Sequence, residues 1–185
     1  MLIMWMKKID PSFEISKLIS YVEDFFLKLE YSYDNEKLPD RIDDITHDYL
    51  LDKNIEFYGI YCGSELAGFI AYKYKNVTDA VSGKLYPDTM HLRMLYVNDK
   101  YRRKGLATSA LHKMENAAVA HKKKELHTFT NAKNNRGIAF YTSYGFKSEG
   151  EATSKKKSDK KKSSESTTLT IIMGKESATV ITVEL

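Results

Sequence analysis

The sequence predicts a mixed α/β fold in which helices cover a sheet, and three observations carry that prediction. Apolar residues first recur at three- and four-residue spacing (Ile15, Leu18, Ile19, Val22, Phe25, Phe26, Leu29), the period of a helix buried along one face. The pattern then changes to period two over "IEFYGIYC" and "LAGFIAYKYK", which reads as paired strands. From there strand-like and helix-like segments alternate, an order that builds layers of helix on sheet.

Each element has its own signal. Residues 2–9 are apolar enough for a first strand, and Asp10-Pro11 marks a helix start, an N-cap followed by proline in the first turn. Residues 40–52 suggest a second, shorter helix with Ile42, Ile45, Tyr49 and Leu50 apolar. The two period-two segments flank "GSE" and make a hairpin, and "DAVSGKLYPD" is a loop. In "TMHLRMLYV", Met90, Leu92, Met94 and Tyr96 face one way and His91, Arg93, Leu95 and Val97 the other. The next helix gathers Leu106, Ala110, Leu111, Met114, Ala117 and Ala118 on one face. "ELHTFTN" is a strand, "NRGIAFYTSYG" a short helix ending at Gly145, and "FKSEGEA" a strand. "TTLTIIM" and "ATVITVEL" close the chain as two strands about a turn at Gly174.

With 185 residues the chain suits a single domain, taken as 1–185, with a lysine-rich loop at about 154–165 and an extra strand at about 178–185. Hydrophobic content of 42% and charged content of 29% are those of an ordinary globular protein. Cys62 is the single cysteine, so no disulfide forms within the chain, in keeping with a reducing, cytoplasmic setting. No apolar run reaches the roughly 18 residues of a membrane span, so no membrane partner is expected. The start "MLIMWMKKID" puts its apolar residues before its lysines and lacks a small-residue cleavage site, so it reads as a strand rather than a signal peptide. The net charge of +4 hides a segregation: residues 30–52 hold eight acids against Lys37 and Arg41, a formal charge of −6, while "SKKKSDKKK" holds six lysines against Asp159.

The segment "YRRKGLATSALHKME" raises a question of charge. Arg102, Arg103 and Lys104 stand at the start of a helix, where unpaired N–H groups already carry a partial positive charge. Such cations call for an anion. Gly105 and Ala107 leave the backbone approachable, Thr108 adds a hydroxyl, and arginines form charge-assisted bonds to phosphate oxygens, so the segment reads as a phosphate cradle. A basic, solvated turn is the plainer alternative. The glycine spacings of the nucleotide P-loop and of the dinucleotide fingerprint are both absent.

The segment resembles the acyl-CoA-binding motif of the GNAT superfamily of N-acetyltransferases, Arg/Gln-x-x-Gly-x-Gly/Ala, at Arg102, Gly105 and Ala107. "LYVNDKY" resembles the end of the family's fourth strand. "NNRGIAFYTSYGF" resembles the family's Asn-x-x-Ala-x-x-x-Tyr-x-x-x-Gly-Phe at Asn134, Tyr141, Gly145 and Phe146, with Gly137 where alanine is usual. The element order follows the family over about residues 2–153.

The resemblance implies a mostly antiparallel sheet with splayed parallel central strands, helices on both faces, and acetyl-CoA as cosubstrate. The pyrophosphate would lie on the amides of Arg103, Lys104, Gly105, Leu106, Ala107 and Thr108. The acyl-pantetheine arm would run beside Leu95, Tyr96 and Val97, and Asn134 joins the cosubstrate-binding set. It implies direct attack of a neutral primary amine on the thioester. Tyr141 is the general acid, since a phenol with a pKa near 10 keeps its proton at pH 7, and the Leu95 amide is the oxyanion donor. His91 is the candidate base, suited to proton transfer near neutral pH, with a water relay as the default. His47, His112, His121 and His127 show no metal-ligand spacing, so no metal is expected.

The acidic segment 30–52, with Tyr31, Tyr33 and Tyr49, suggests a small cationic amine as acceptor. Two other readings stand beside the enzyme: an acyl-CoA sensor that does not turn over, and a polyanion-binding module using the lysine run. Nucleic acid is not the expected partner, because nothing in that run reads bases. The last strand could pair within the sheet or across a homodimer.

Overall fold

The computed structural model describes residues 4–9, 11–28, 52–75, 77, 85–131, 134–153, 167–175 and 178–179. The elements run β1 (Met4–Lys8), α1 (Pro11–Lys28), β2 (Ile55–Cys62), β3 (Glu65–Lys73), β4 (Thr89–Val97), a 3₁₀ turn (Asp99–Tyr101), α2 (Leu106–Ala120), β5 (Glu125–Asn131), α3 (Asn135–Tyr144), β6 (Phe146–Thr153), β7 (Thr167–Lys175) and β8 (Ala178–Thr179). The expected helix at 40–52, the lysine-rich loop and most of the expected last strand lie outside the described residues. The chain divides into two units, one of residues 1–73 and 93–116, the other of 74–92 and 117–185. β4 and α2 contribute residues to both.

In the first unit β1 lies antiparallel to β2, from Met4↔Cys62 to Lys8↔Tyr58, and β2 forms the expected hairpin with β3. Gly63 supplies the positive φ of 62° that the tight turn needs. β4 follows β3 in the strand order, and the two approach closely. A Cβ on Gly68 would fall 2.1 Å from the Tyr96 carbonyl oxygen, so only glycine fits there. α1 seats Leu18 and Val22, both fully buried, against Phe57, Phe69, Ala71, Met94 and Tyr96. At about 1.5–3 kcal/mol per buried side chain, that face is what holds the helix on the sheet.

In the second unit β4 and β5 pair in parallel from Thr89↔Glu125 to Leu92↔Thr128. This parallel pair lies within an otherwise antiparallel set of strands, as the expected fold class requires. β5 pairs antiparallel with β7, and β7 with β6. β8 pairs with β7 at Gly174↔Thr179, so Gly174 sits within the ladder and not at the turn where the sequence placed it. β7 stays paired to its last residue, Lys175↔Ala178. Among the described residues no helix is long and apolar enough to cross a membrane.

Candidate active site

The first unit carries the predicted cradle. β4 ends at Val97, and Asn98 caps the 3₁₀ turn by accepting the Lys100 N–H at 3.2 Å. Tyr101 is buried, and its hydroxyl donates to Glu65, the carboxylate that also holds Lys100 Nζ at 3.0 Å. That pairing keeps the Glu65 carboxyl below its usual range. Arg102 then turns back: its Nε donates to the Val97 carbonyl at 2.8 Å, and its guanidinium lies 2.5 Å from Asp99. Arg103 and Gly105 both take left-handed backbone, φ 57° and 78°. Left-handed residues in turns are a recurring part of backbone concavities that bind anions. The first intrahelical bond of α2 runs from Ser109 N–H to the Gly105 carbonyl, so the N–H groups of Leu106, Ala107 and Thr108 have no helical acceptor. A Cβ on Gly105 would meet no heavy atom within 4 Å, so it is the left-handed φ that requires glycine.

The three cations are not equivalent. Arg102 is engaged with Val97 and Asp99, and Lys104 donates to the Lys100 carbonyl at 3.2 Å with its amine over the Tyr101 ring. Arg103 is exposed and, among the described residues, has neither a hydrogen bond nor an ion pair. Upstream, Leu95 is half-buried, and Tyr96 and Val97 are buried. The Tyr96 ring belongs to the core, and its hydroxyl donates to Asp24 on α1 and accepts from Asn98 at 3.3 Å. Burial and the Asp24 carboxylate together raise the Tyr96 pKa.

The second unit carries Tyr141 and His91. Tyr141 lies on the inner face of α3, its ring 5.3 Å from Phe146. Its hydroxyl hydrogen-bonds Thr128 of β5, and burial pushes the phenol up to about 12. Thr128 also reaches the Leu92 carbonyl at 3.4 Å. Gly145 closes the helix in the left-handed conformation, φ 117°, donating to the carbonyls of Tyr141 and Thr142. His91, the candidate base, is buried, because β5 pairs alongside and sets His127 opposite it. The two rings lie 5.7 Å apart, with Tyr86 5.0 Å from His127. Burial holds His127 well below the ordinary histidine range.

A family model described as the acetyltransferase (GNAT) family matches residues 18–146. The chain belongs to the GNAT family. Solved structures share the fold at low identity. A PaiA N-acetyltransferase from Thermoplasma acidophilum, in complex with coenzyme A, is 18% identical with a TM-score of 0.62, over 90% of this chain and 97% of that one. A predicted acetyltransferase with acetyl-CoA from Clostridium acetobutylicum is 15% identical with a TM-score of 0.59, over 86% and 96%. An aminoglycoside antibiotic 6′-N-acetyltransferase from Acinetobacter baumannii is 17% identical with a TM-score of 0.58, over 86% and 99%.

Within this GNAT chain, the motif residues Arg102 to Thr108 form one continuous loop and helix start, as expected. Asn134 caps α3 and has both ends of its side chain bonded within the second unit. Sequence reasoning missed Glu65, Asp99 and Tyr101, which shape the cradle loop, and Thr128 and Thr130, which face α3. The alternating threonines of "HTFTN" were the available signal: two hydroxyls two residues apart share one face of a strand, and when that face is buried they need partners.

Proposed function

We propose that this GNAT protein is an N-acetyltransferase that moves the acetyl group of acetyl-CoA to a primary amine, with a small cationic amine as acceptor. The observation that carries the reading is the cradle: left-handed Arg103 and Gly105 lead into the first turn of α2, and the exposed Arg103 side chain has no partner among the described residues. Those groups fit a pyrophosphate. Acetyl-CoA would supply the thioester carbonyl that the amine attacks.

The chain's own residues bind, orient and move protons. The N–H groups from Arg103 to Thr108 hold the phosphates, and the β4 backbone at Leu95, Tyr96 and Val97 aligns the pantetheine arm. The Leu95 N–H donates to the oxyanion. As the nitrogen–carbon bond forms and the carbon–sulfur bond breaks, Tyr141 gives its phenolic proton to the departing thiolate. The amine's proton leaves through water, a route favoured by the burial of His91 against His127. The acceptor class rests on the −6 formal charge of residues 30–52, which steers cations. We take the whole chain as one acetyltransferase domain, a view supported by a family match that passes through both units.

The test is release of free thiol from acetyl-CoA with spermidine, kanamycin, a neutral amine and an anionic amine, each at two salt concentrations. The cationic amines should give the highest kcat/KM and lose most of that advantage at high salt. A neutral or anionic amine in first place would overturn the acceptor class. Acetyl-CoA binding without thiol release from any amine would point to a sensor instead.

A further inference from the structure

Asn134 opens the second family motif, yet its side chain is spent inside the second unit. Its amide oxygen accepts the Gly137 N–H at 2.9 Å, capping α3, and its amide nitrogen donates to Thr130 Oγ1 of β5 at 2.7 Å. Gly137, the departure from the family's alanine, belongs to the same arrangement. A Cβ there would fall 2.3 Å from Asn134 Nδ2 and 2.8 Å from its Cγ. Gly137 is not among the glycines with positive φ, so room for the Asn134 side chain is what the glycine provides. Thr128 and Thr130 are two apart on β5, share a face, and are 2% and 4% exposed. Thr130 accepts from Asn134, the N-cap of α3, and Thr128 bonds Tyr141 near the helix's other end.

We infer that Asn134, Thr130 and Gly137 form an anchor that positions Tyr141, with Asn134 acting on the helix and not on the cosubstrate. The inference rests on the reading of Tyr141 as the proton donor. α3 has only ten residues, too few to hold its own position, so its bonds to β5 set its rotation and slide. A loosened cap moves the phenol, and a proton donor displaced by about 1 Å loses up to about 100-fold in rate.

The experiment uses the full chain with acetyl-CoA and spermidine, or the fastest amine of the panel above. Thr130→Val keeps the side-chain shape and removes the acceptor; Gly137→Ala removes the room. Both should lower kcat about 10- to 100-fold and leave the acetyl-CoA Kd within about twofold. Thr130→Ser restores the hydroxyl and should recover most of the rate. Combined with Tyr141→Phe, Thr130→Val should give a loss no larger than Tyr141→Phe alone, because the anchor acts through that phenol. If Gly137→Ala does not fold, the Thr130 pair carries the test. The anchor is overturned if Thr130→Val keeps full kcat while Asn134→Ala weakens acetyl-CoA binding, or if the losses of Thr130→Val and Tyr141→Phe multiply. Full activity in Tyr141→Phe would instead remove the acid assignment, and the anchor's catalytic role with it.

Discussion

Tyr141, which we propose as the proton donor, is also a core side chain. Its ring packs on Phe140 and Phe146, and its hydroxyl meets Thr128. Burial disfavours the phenolate, which pushes the pKa up to about 12 and keeps the donor form in place well past neutrality. Tyr141→Phe should therefore lower kcat about 10- to 1000-fold with little change in acetyl-CoA affinity. In the unmodified enzyme kcat should show no alkaline decline near pH 10, the ordinary tyrosine value. A decline centred there would mean the phenol is not shielded from water. The motif alone marked Tyr141, but its state of protonation depends on Phe146 and Thr128, which reach it only in the folded chain. Tyr144, three residues on, lies half-buried at 6.0 Å from Phe146 and serves packing.

At the scale of the element, the loop from Asn98 to Gly105 divides its labour among its cations. Arg102 ties the loop to the end of β4, and the exposed Arg103 is the cation we propose meets the phosphates. Arg102→Met should weaken acetyl-CoA binding and lower the melting temperature while the salt dependence of binding stays as it was. Arg103→Gln should flatten that salt dependence and leave the melting temperature unchanged, because a solvated charge facing phosphate is screened by salt. Calorimetric titrations at two ionic strengths, with melting curves, separate the two roles; the reverse pattern would exchange them. Gly105→Val should abolish binding, since a β-branched residue at φ 78° is strained by about 1–2 kcal/mol or more and its side chain would fill the cradle. Element boundaries were readable where periodicity was strong: α2 and β5 begin and end close to where their apolar patterns do. The 3₁₀ turn was not readable, because Glu65, which anchors it, comes from a hairpin far away in sequence.

At the scale of the whole molecule, acid should destabilise the fold before its carboxylates titrate. His127 is buried, and its folded pKa lies well below the ordinary 6.5. Below about pH 6.5 the unfolded chain gains a proton that the folded chain resists, so stability falls as pH drops, by at most about 1.4 kcal/mol per pH unit for one group. Above that pH both states are neutral and His127 contributes no slope. Urea midpoints between pH 7.5 and 5.5 should show the fall, and His127→Phe should flatten it; an unchanged slope would assign the effect to another histidine. Asp52 and Asp88, whose pKa values are lowered, act only at more acidic pH.

By itself the sequence determined the order of the described helices and strands, the family and the loop that opens α2 at residues 102–108, since these rest on periodicity and on short contiguous motifs that local backbone chemistry governs. Tertiary structure alone decided which cations of the cradle are already engaged, that His91 is buried against His127, and that Gly137 exists to admit Asn134. Each of those depends on a partner distant in sequence or on a rotamer that packing selects, and neither leaves a periodic trace in the chain.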